Sequence, residues 1–248
     1  MNSTRLIRTD KSRTHRFFYS LAHFANRLLV HALAPRMRIT GHGHVPQHGA
    51  VILVANHISH FDAALIGSAV RRPLWFMAMS EIFEIPVVSI LARFCQAFPV
   101  KRGRADLGAL KGAEQLLREG HALVIFPEGR LSQSGQLGPI LPGASLLSLH
   151  AGVPIIPVGI SGSEKIMPYG PTCPRPSLAP VHLHFGAPLD LSHLQELPRR
   201  EARKAATLRL EAAIVHCVAL ARADQAQKAK PAPHSLKVEN GSSREGSA

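Results

Sequence analysis

Several short stretches of this chain are apolar without interruption: Val51-Ile52-Leu53-Val54-Ala55, Leu74-Trp75-Phe76-Met77-Ala78, Ala122-Leu123-Val124-Ile125-Phe126 and Val153-Pro154-Ile155-Ile156-Pro157-Val158. Runs of this length, bounded by turn formers, fit strands buried on both faces of a sheet. The two prolines of the last run disfavour a regular central ladder, so at least one of its edges is expected to be irregular. Met37–Thr40 reads as a short strand, followed by a Gly-His turn from Gly41 to Gly49. Val181-His182-Leu183-His184-Phe185 alternates and reads as an edge strand with both histidines toward solvent. Between these runs lie helical patterns. Ser59 is a fit N-cap with Asp62 as the acidic arm of a capping box, ahead of Ala63–Gly67. Asp106 caps a helix that runs to Arg118 and ends at Gly120. Ala144–His150 precedes Gly152, and a long helix runs from Pro198 to about Ala223. Strand and helix alternating in this way predict an α/β fold: a single-domain sandwich with a mixed, mostly parallel sheet flanked by helices.

The remaining segments divide the chain. From Phe17 to Leu33, Phe17, Leu21, Phe24, Leu28 and Ala32 recur at helical spacing, interrupted elsewhere by His23, Asn26, Arg27 and His31. This is too broken for a spanning helix. Upstream lie Arg5, Arg8, Lys11, Arg13 and Arg16, opposed only by Asp10. An amphipathic helix with a basic approach suits an anionic lipid surface; the alternative is a helix docked on the domain's own core. The basic stretch lacks the apolar core and small-residue cleavage site of a signal peptide. Ile82–Phe98 is a second amphipathic candidate. The expected organisation is a basic segment and amphipathic membrane-surface helix over 1–36, one domain over 37–224, and a disordered tail over 225–248, where Lys, Pro, Gly and Ser dominate.

Charge sharpens the picture. The chain of 248 residues carries a formal net charge of +13, which calls for a polyanionic partner: nucleic acid, anionic lipid or an acidic carrier. No aromatic-and-cation stacking platform and no nucleic-acid motif is present, so nucleic acid is not expected as a partner. Cys95, Cys173 and Cys217 are far apart and odd in number, which argues against a disulfide framework or a metal site.

Candidate chemistry sits where strands end. His57 follows the first buried run, and Asp62 lies within reach on the first helical turn. A histidine held by a carboxylate is a poised general base; the plainer alternative is a helix-capping Asp beside an idle His. His57 and His60 also invite a metal reading, but nothing else at ligand spacing supports it, so no metal is expected. Phe126-Pro127-Glu128-Gly129-Arg130 breaks the next strand into a tight turn that brings Glu128 and Arg130 to the same edge. An arginine fork there suits a phosphate, although a surface Glu–Arg ion pair would give the same sequence. Phe98-Pro99-Val100-Lys101-Arg102-Gly103-Arg104 is either a basic, glycine-containing phosphate seat or a solvated charge run.

Taken in order, these elements resemble the four motif blocks of the glycerolipid acyltransferase family, known from the lysophosphatidate acyltransferases. Asn56, His57 and Asp62 match the first block, Phe98–Arg102 the second, Phe126–Arg130 the third and Val153–Val158 the fourth, over roughly residues 38–190. The resemblance implies a mixed sheet flanked by helices, and an O-acyltransferase that moves a fatty acyl group from acyl-CoA or acyl carrier protein to the free hydroxyl of lysophosphatidate, giving phosphatidate. It implies His57 and Asp62 as the catalytic pair. Glu128, Gly129, Arg130, Arg102, Lys101 and Pro154 follow as substrate-binding residues, with no cofactor beyond the acyl co-substrate. Anionic membrane lipids and a lysophospholipid acceptor are the expected partners, at the cytoplasmic face of a membrane. One departure stands out. The commonest third block carries Arg three residues after Glu, where this chain has Leu131. That keeps other lysolipids, such as lysophosphatidylethanolamine or a lyso-ornithine lipid, open as acceptors. A non-catalytic peripheral membrane protein is the alternative outside the enzymes.

Overall fold

The computed structural model describes residues 13–84, 86, 89, 92, 96–100, 106–170 and 173–229, with side chains between 19 and 226. Seven strands form one sheet: β1 (Met37–Thr40), β2 (Val51–Ala55), β3 (Leu74–Met79), β4 (Ala97–Val100), β5 (Ala122–Ile125), β6 (Ile155–Ser161) and β7 (Val181–Phe185). Their order is β1-β7-β6-β2-β5-β3-β4. All neighbours are parallel except β6 and β7, so the sheet is mixed and mostly parallel, as expected.

The unbroken apolar runs are explained by burial on both faces. Along β2, Val51, Leu53 and Ala55 enter one core with helices α1 (Arg13–Leu33) and α2 (Asp62–Ala69). Ile52 and Val54 enter a second core, formed with α3 (Leu107–Arg118), α4 (Gly143–Ala151) and α5 (Arg199–Ala229). The molecule is therefore a three-layer sandwich. Asp106 caps α3 by accepting from the Ala109 N–H at 3.0 Å, and Gly152, at φ 64°, closes α4 in the left-handed conformation.

Four expectations change. β7 is an interior strand, because β1 pairs along its outer side. His182 is buried there, 3.9 Å from Asp224, and His184 shares a 2.9 Å hydrogen bond with Thr40. Alternation marks two unlike faces, and neighbouring elements rather than water occupy the polar one. The proline-containing β6 is interior as well, but its irregularity is real. A bridge at Ile155–Leu189 and the ladder from Val158–Phe185 leave two residues of β6 facing three of the partner segment. Ile155 N–H donates toward that partner, so alternation would aim the N–H of residue 157 the same way. The missing donor of Pro157 therefore falls inside the bulge, where no ladder bond is lost. α5 runs on to Ala229, past the expected start of the tail; residues 230–248 lie outside the described residues. Last, Ser59 does not cap α2 directly. The helix starts at Asp62, and Ser59 Oγ accepts from the Phe61 N–H at 3.0 Å while donating to the Met167 carbonyl at 2.8 Å.

The first helix is both docked and exposed. Val30, Leu33 and Ala34 are buried against the domain. Asn26 donates to the Ala64 carbonyl (2.9 Å), and the His23 ring bonds the Val70 carbonyl (3.1 Å). Its polar positions thus face α2, while Leu21, Phe24, Leu28 and Leu29 lie open, Phe24 at 65% exposure. No helix among the described residues is long and apolar enough to cross a membrane. Of the Ile82–Phe98 candidate, Ser80–Glu84 is a 3-10 turn, Ala97 and Phe98 belong to edge strand β4, and most of the rest lies outside the described residues.

Candidate active site

The main chain leaves the sheet immediately after Ala55, and the buried Asn56 covers the break. Its amide donates to the Ile160 carbonyl at 3.0 Å and accepts from the Ile160 N–H at 2.8 Å, so a side chain continues the β2–β6 ladder while the backbone turns away. His57 is thereby fixed at the carboxyl edge of a mostly parallel sheet, where open α/β folds place ligands.

Its imidazole is held from two sides. Nδ1 lies 3.0 Å from Asp62 Oδ2, and Phe126 stacks on the ring with centroids 4.1 Å apart. Asp62 is fully buried, and the same Oδ2 also accepts the N–H groups of Ile58 (2.8 Å) and Ser59 (2.9 Å). With Nδ1–H donated to the carboxylate, Nε2 is left as an acceptor. The His57 side chain retains 19% exposure, so the pair is not sealed from solvent. Asp62 is thus both the acidic residue of the first α2 turn and the partner of the histidine; the two readings of the sequence coexist.

The backbone of His57 is clamped by the loop after β5. Its N–H donates to Glu128 Oε1 at 2.9 Å, and its carbonyl accepts from the Ser132 N–H at 2.8 Å. Glu128 is buried, and its other oxygen accepts from the Gly138 N–H at 2.8 Å. Glu128 therefore lies at the expected edge, where its carboxylate braces two stretches of main chain, and it forms no ion pair with Arg130 among the described residues. Gly129, at φ 65°, provides the turn, with Leu141 close beside its Cα. Arg222 on α5 anchors the same loop through the Gln136 side chain (2.9 Å) and the Gly135 carbonyl (2.7 Å).

Of the residues singled out from sequence, the fold therefore gathers His57, Asp62, Glu128, Gly129 and Arg130 at one edge, with Arg130 exposed. Lys101 and Arg102 lie outside the described residues. Pro154 is not brought to the site. It precedes β6 at the amino end of the sheet, level with Ile52, several residues of strand away from His57 at about 3.3 Å each. Phe126, Ser132, Gly138 and Arg222 were missed. Phe126 was visible in its motif but read only as the end of a strand, and the others act through main chain or loop contacts that leave no spacing signal. His60, offered for a metal, is exposed, and no cluster of three or more His, Cys, Asp or Glu suited to a metal occurs among the described residues.

An α/β sandwich with a carboxylate-held histidine at the carboxyl edge of its sheet defines the structural class. Its family follows from sequence: the Acyltransferase family profile matches residues 36–161, half of the chain, and the protein belongs to that family. Chloroplast 1-acyl-sn-glycerol-3-phosphate acyltransferase of Brassica napus is 34% identical over 121 residues, covering 48% of this chain and 35% of that protein. A 1-acyl-sn-glycerol-3-phosphate acyltransferase of Chlamydomonas reinhardtii is 30% identical over 174 residues, 67% of this chain and 52% of that one. The chain thus spans about a third to a half of the length of these curated relatives. The crystal structure of the 1-acyl-sn-glycerophosphate acyltransferase from Thermotoga maritima superposes with a TM-score of 0.67 at 23% identity, over 92% of this chain and 87% of that one, a shared fold.

Proposed function

We propose that the protein transfers a fatty acyl group from an acyl thioester to the free hydroxyl of lysophosphatidate, giving phosphatidate. The observation that carries this reading is the His57–Asp62 pair, with Nδ1 engaged by a fully buried carboxylate and Nε2 left to accept a proton. The named activities of the matching relatives support the acceptor.

In the proposed step, His57 Nε2 removes the proton from the acceptor hydroxyl as its oxygen attacks the thioester carbonyl. The tetrahedral adduct collapses with cleavage of the C–S bond, and the proton passes from His57 to the departing sulfur. Asp62 holds the tautomer and offsets the charge of the imidazolium. The substrate is itself the nucleophile, so no acyl-enzyme is required. Arg130 is free to meet the acceptor's phosphate, with Lys101 and Arg102 as further cations from the second motif. The exposed apolar residues of α1 would keep the protein on the membrane surface where its acceptor resides.

Leu131 favours keeping a second acceptor in view. The position that carries Arg in the commonest form of the motif is here an apolar side chain only 7% exposed, so it offers a headgroup no charge. A panel of lysophosphatidate, lysophosphatidylethanolamine and a lyso-ornithine lipid separates these acceptors.

The test is thiol release from palmitoyl-CoA by the purified protein with and without lysophosphatidate, in wild type and His57→Ala. Acceptor-dependent release should fall by about 10² or more in the variant. Equal release from both proteins would remove His57 from the mechanism.

A further inference from the structure

A cationic groove lies at the junction of α4 and α5. Pro142, Arg200, Arg203, Lys204, Thr207 and Leu208 line this open, shallow surface groove of about 410 Å³. Residues 200, 203, 204, 207 and 208 recur at helical spacing, so they form one stripe along α5. All three cations and Leu208 are exposed, and none of the three takes part in an ion pair among the described residues. Like charges three and four residues apart destabilise a helix. Glu201 stands three residues before Lys204, but the stripe remains predominantly basic, and such a stripe suits an acidic partner that is absent from the isolated chain.

Two features favour a water-borne acidic partner over anionic lipid. The groove opens on the layer formed by α3, α4 and α5, whereas the open apolar residues of α1 belong to the opposite layer. With α1 against lipid, the groove faces water, away from anionic headgroups. Its rim is also tied to the candidate active-site loop. Pro142 follows Leu141, whose N–H donates to the Pro127 carbonyl at 2.8 Å, within the loop that braces His57.

We propose that this groove is the docking surface for an acidic acyl carrier protein, which delivers the acyl thioester from the aqueous side. Arg200, Arg203 and Lys204 meet its carboxylates, and Leu208 supplies the apolar contact. The proposal rests on the acyl-transfer reading for its purpose, but its binding test stands apart from turnover.

The experiment compares wild type with Arg200→Glu/Arg203→Glu/Lys204→Glu, and with the milder triple Gln variant, all in the full chain. Binding of holo acyl carrier protein is titrated by fluorescence anisotropy at low and high salt. Kinetics are then measured with palmitoyl carrier protein and with palmitoyl-CoA. The Glu variant should weaken carrier binding and raise KM for the carrier donor by about tenfold or more, the Gln variant less, with an affinity in wild type that falls as salt rises. Kinetics with palmitoyl-CoA should change by less than about twofold. Undiminished carrier binding in the Glu variant would overturn the proposal. So would an equal loss with both donors, which would assign the groove to the nucleotide phosphates, or a loss confined to co-sedimentation with phosphatidylglycerol vesicles, which would assign it to lipid. If wild type turns over neither donor, the acyl-transfer reading fails. The anisotropy titration then decides the groove alone: carrier binding lost in the Glu variant upholds it, and no binding to wild type overturns it.

Discussion

A carboxylate at the edge that carries His57 can bind substrate or hold the histidine in place, and the hydrogen bonds of Glu128 favour the second. Glu128 accepts the His57 N–H with one oxygen and the Gly138 N–H with the other. Gln at this position keeps one acceptor but presents an NH₂ group to the second N–H, leaving a buried donor unsatisfied. Glu128→Gln should therefore lower kcat by about tenfold or more with KM for lysophosphatidate changed by less than about twofold. A raised KM with kcat intact would make Glu128 a substrate ligand instead. His184 carries a different prediction. Burial holds its pKa below the ordinary 6.5, as do the neighbouring His216 and His44, against an opposing pull from Asp224. In the window below 6.5 the unfolded chain then binds more protons at this site than the folded one. Stability from this residue is complete above the unfolded value and is lost as pH falls through 6.5 toward the folded value. Thermal unfolding scans between about pH 7 and pH 5 should show Tm falling with pH, and His184→Gln should remove part of that slope.

At the level of elements, α5 and β6 approach each other closely. A Cβ on Gly159 would stand 2.1 Å from the Cys217 carbonyl oxygen and 2.5 Å from the Val218 nitrogen, both backbone atoms of α5. The helix therefore rests on bare main chain at this point, and Cys217 is buried there, its thiol pushed up to about 11 by desolvation. Gly159→Ala should cost about 1–3 kcal/mol, as overpacking of a dense core does. At about 2–4 °C per kcal/mol for a chain of this size, that is a readily measured fall in Tm. Gly43→Ala, where an added Cβ meets nothing within 4 Å, is the control and should leave Tm nearly unchanged. Because Arg222 on the same helix holds the loop of Glu128, a shift of α5 would also reach the active site.

Across the whole molecule, the two layers present different surfaces. α1 binds α2 through its polar side and turns Leu21, Phe24 and Leu28 outward, an orientation that wastes apolar surface unless another apolar phase covers it. Replacing these three residues by Ser should reduce co-sedimentation with phosphatidylglycerol vesicles by about tenfold or more, since each apolar side chain contributes about 1.5–3 kcal/mol when fully buried. Tm should hold, because the described contacts of α1 with the domain run through His23, Asn26, Val30 and Leu33. A large fall in Tm with unchanged vesicle binding would mean that this face serves the fold.

How far the sequence alone reaches depends on the range of the interaction. Strands β2, β3 and β5 and helices α3 and α4 were legible because burial on two faces and local capping leave their marks within a few neighbouring residues. The His57–Asp62 pair was legible for the same reason: five residues across a strand-to-helix turn bring the two side chains together. Strand order was not local. Nothing in Val181–Phe185 says that Met37–Thr40 will pair along its far side, so a buried histidine read as exposed. Pro154 shared a motif with the site yet lies at the other end of the sheet, because neighbours in sequence run away from each other along a strand. The bracing of His57 by Glu128 and Ser132, with Gly138 holding Glu128 in turn, depends on how β5 and β2 align side by side. Local pattern thus determined the elements and the His57–Asp62 pair, whereas the order of strands in the sheet and the bracing of the site came from contacts between residues far apart in the chain, which only the tertiary structure decides.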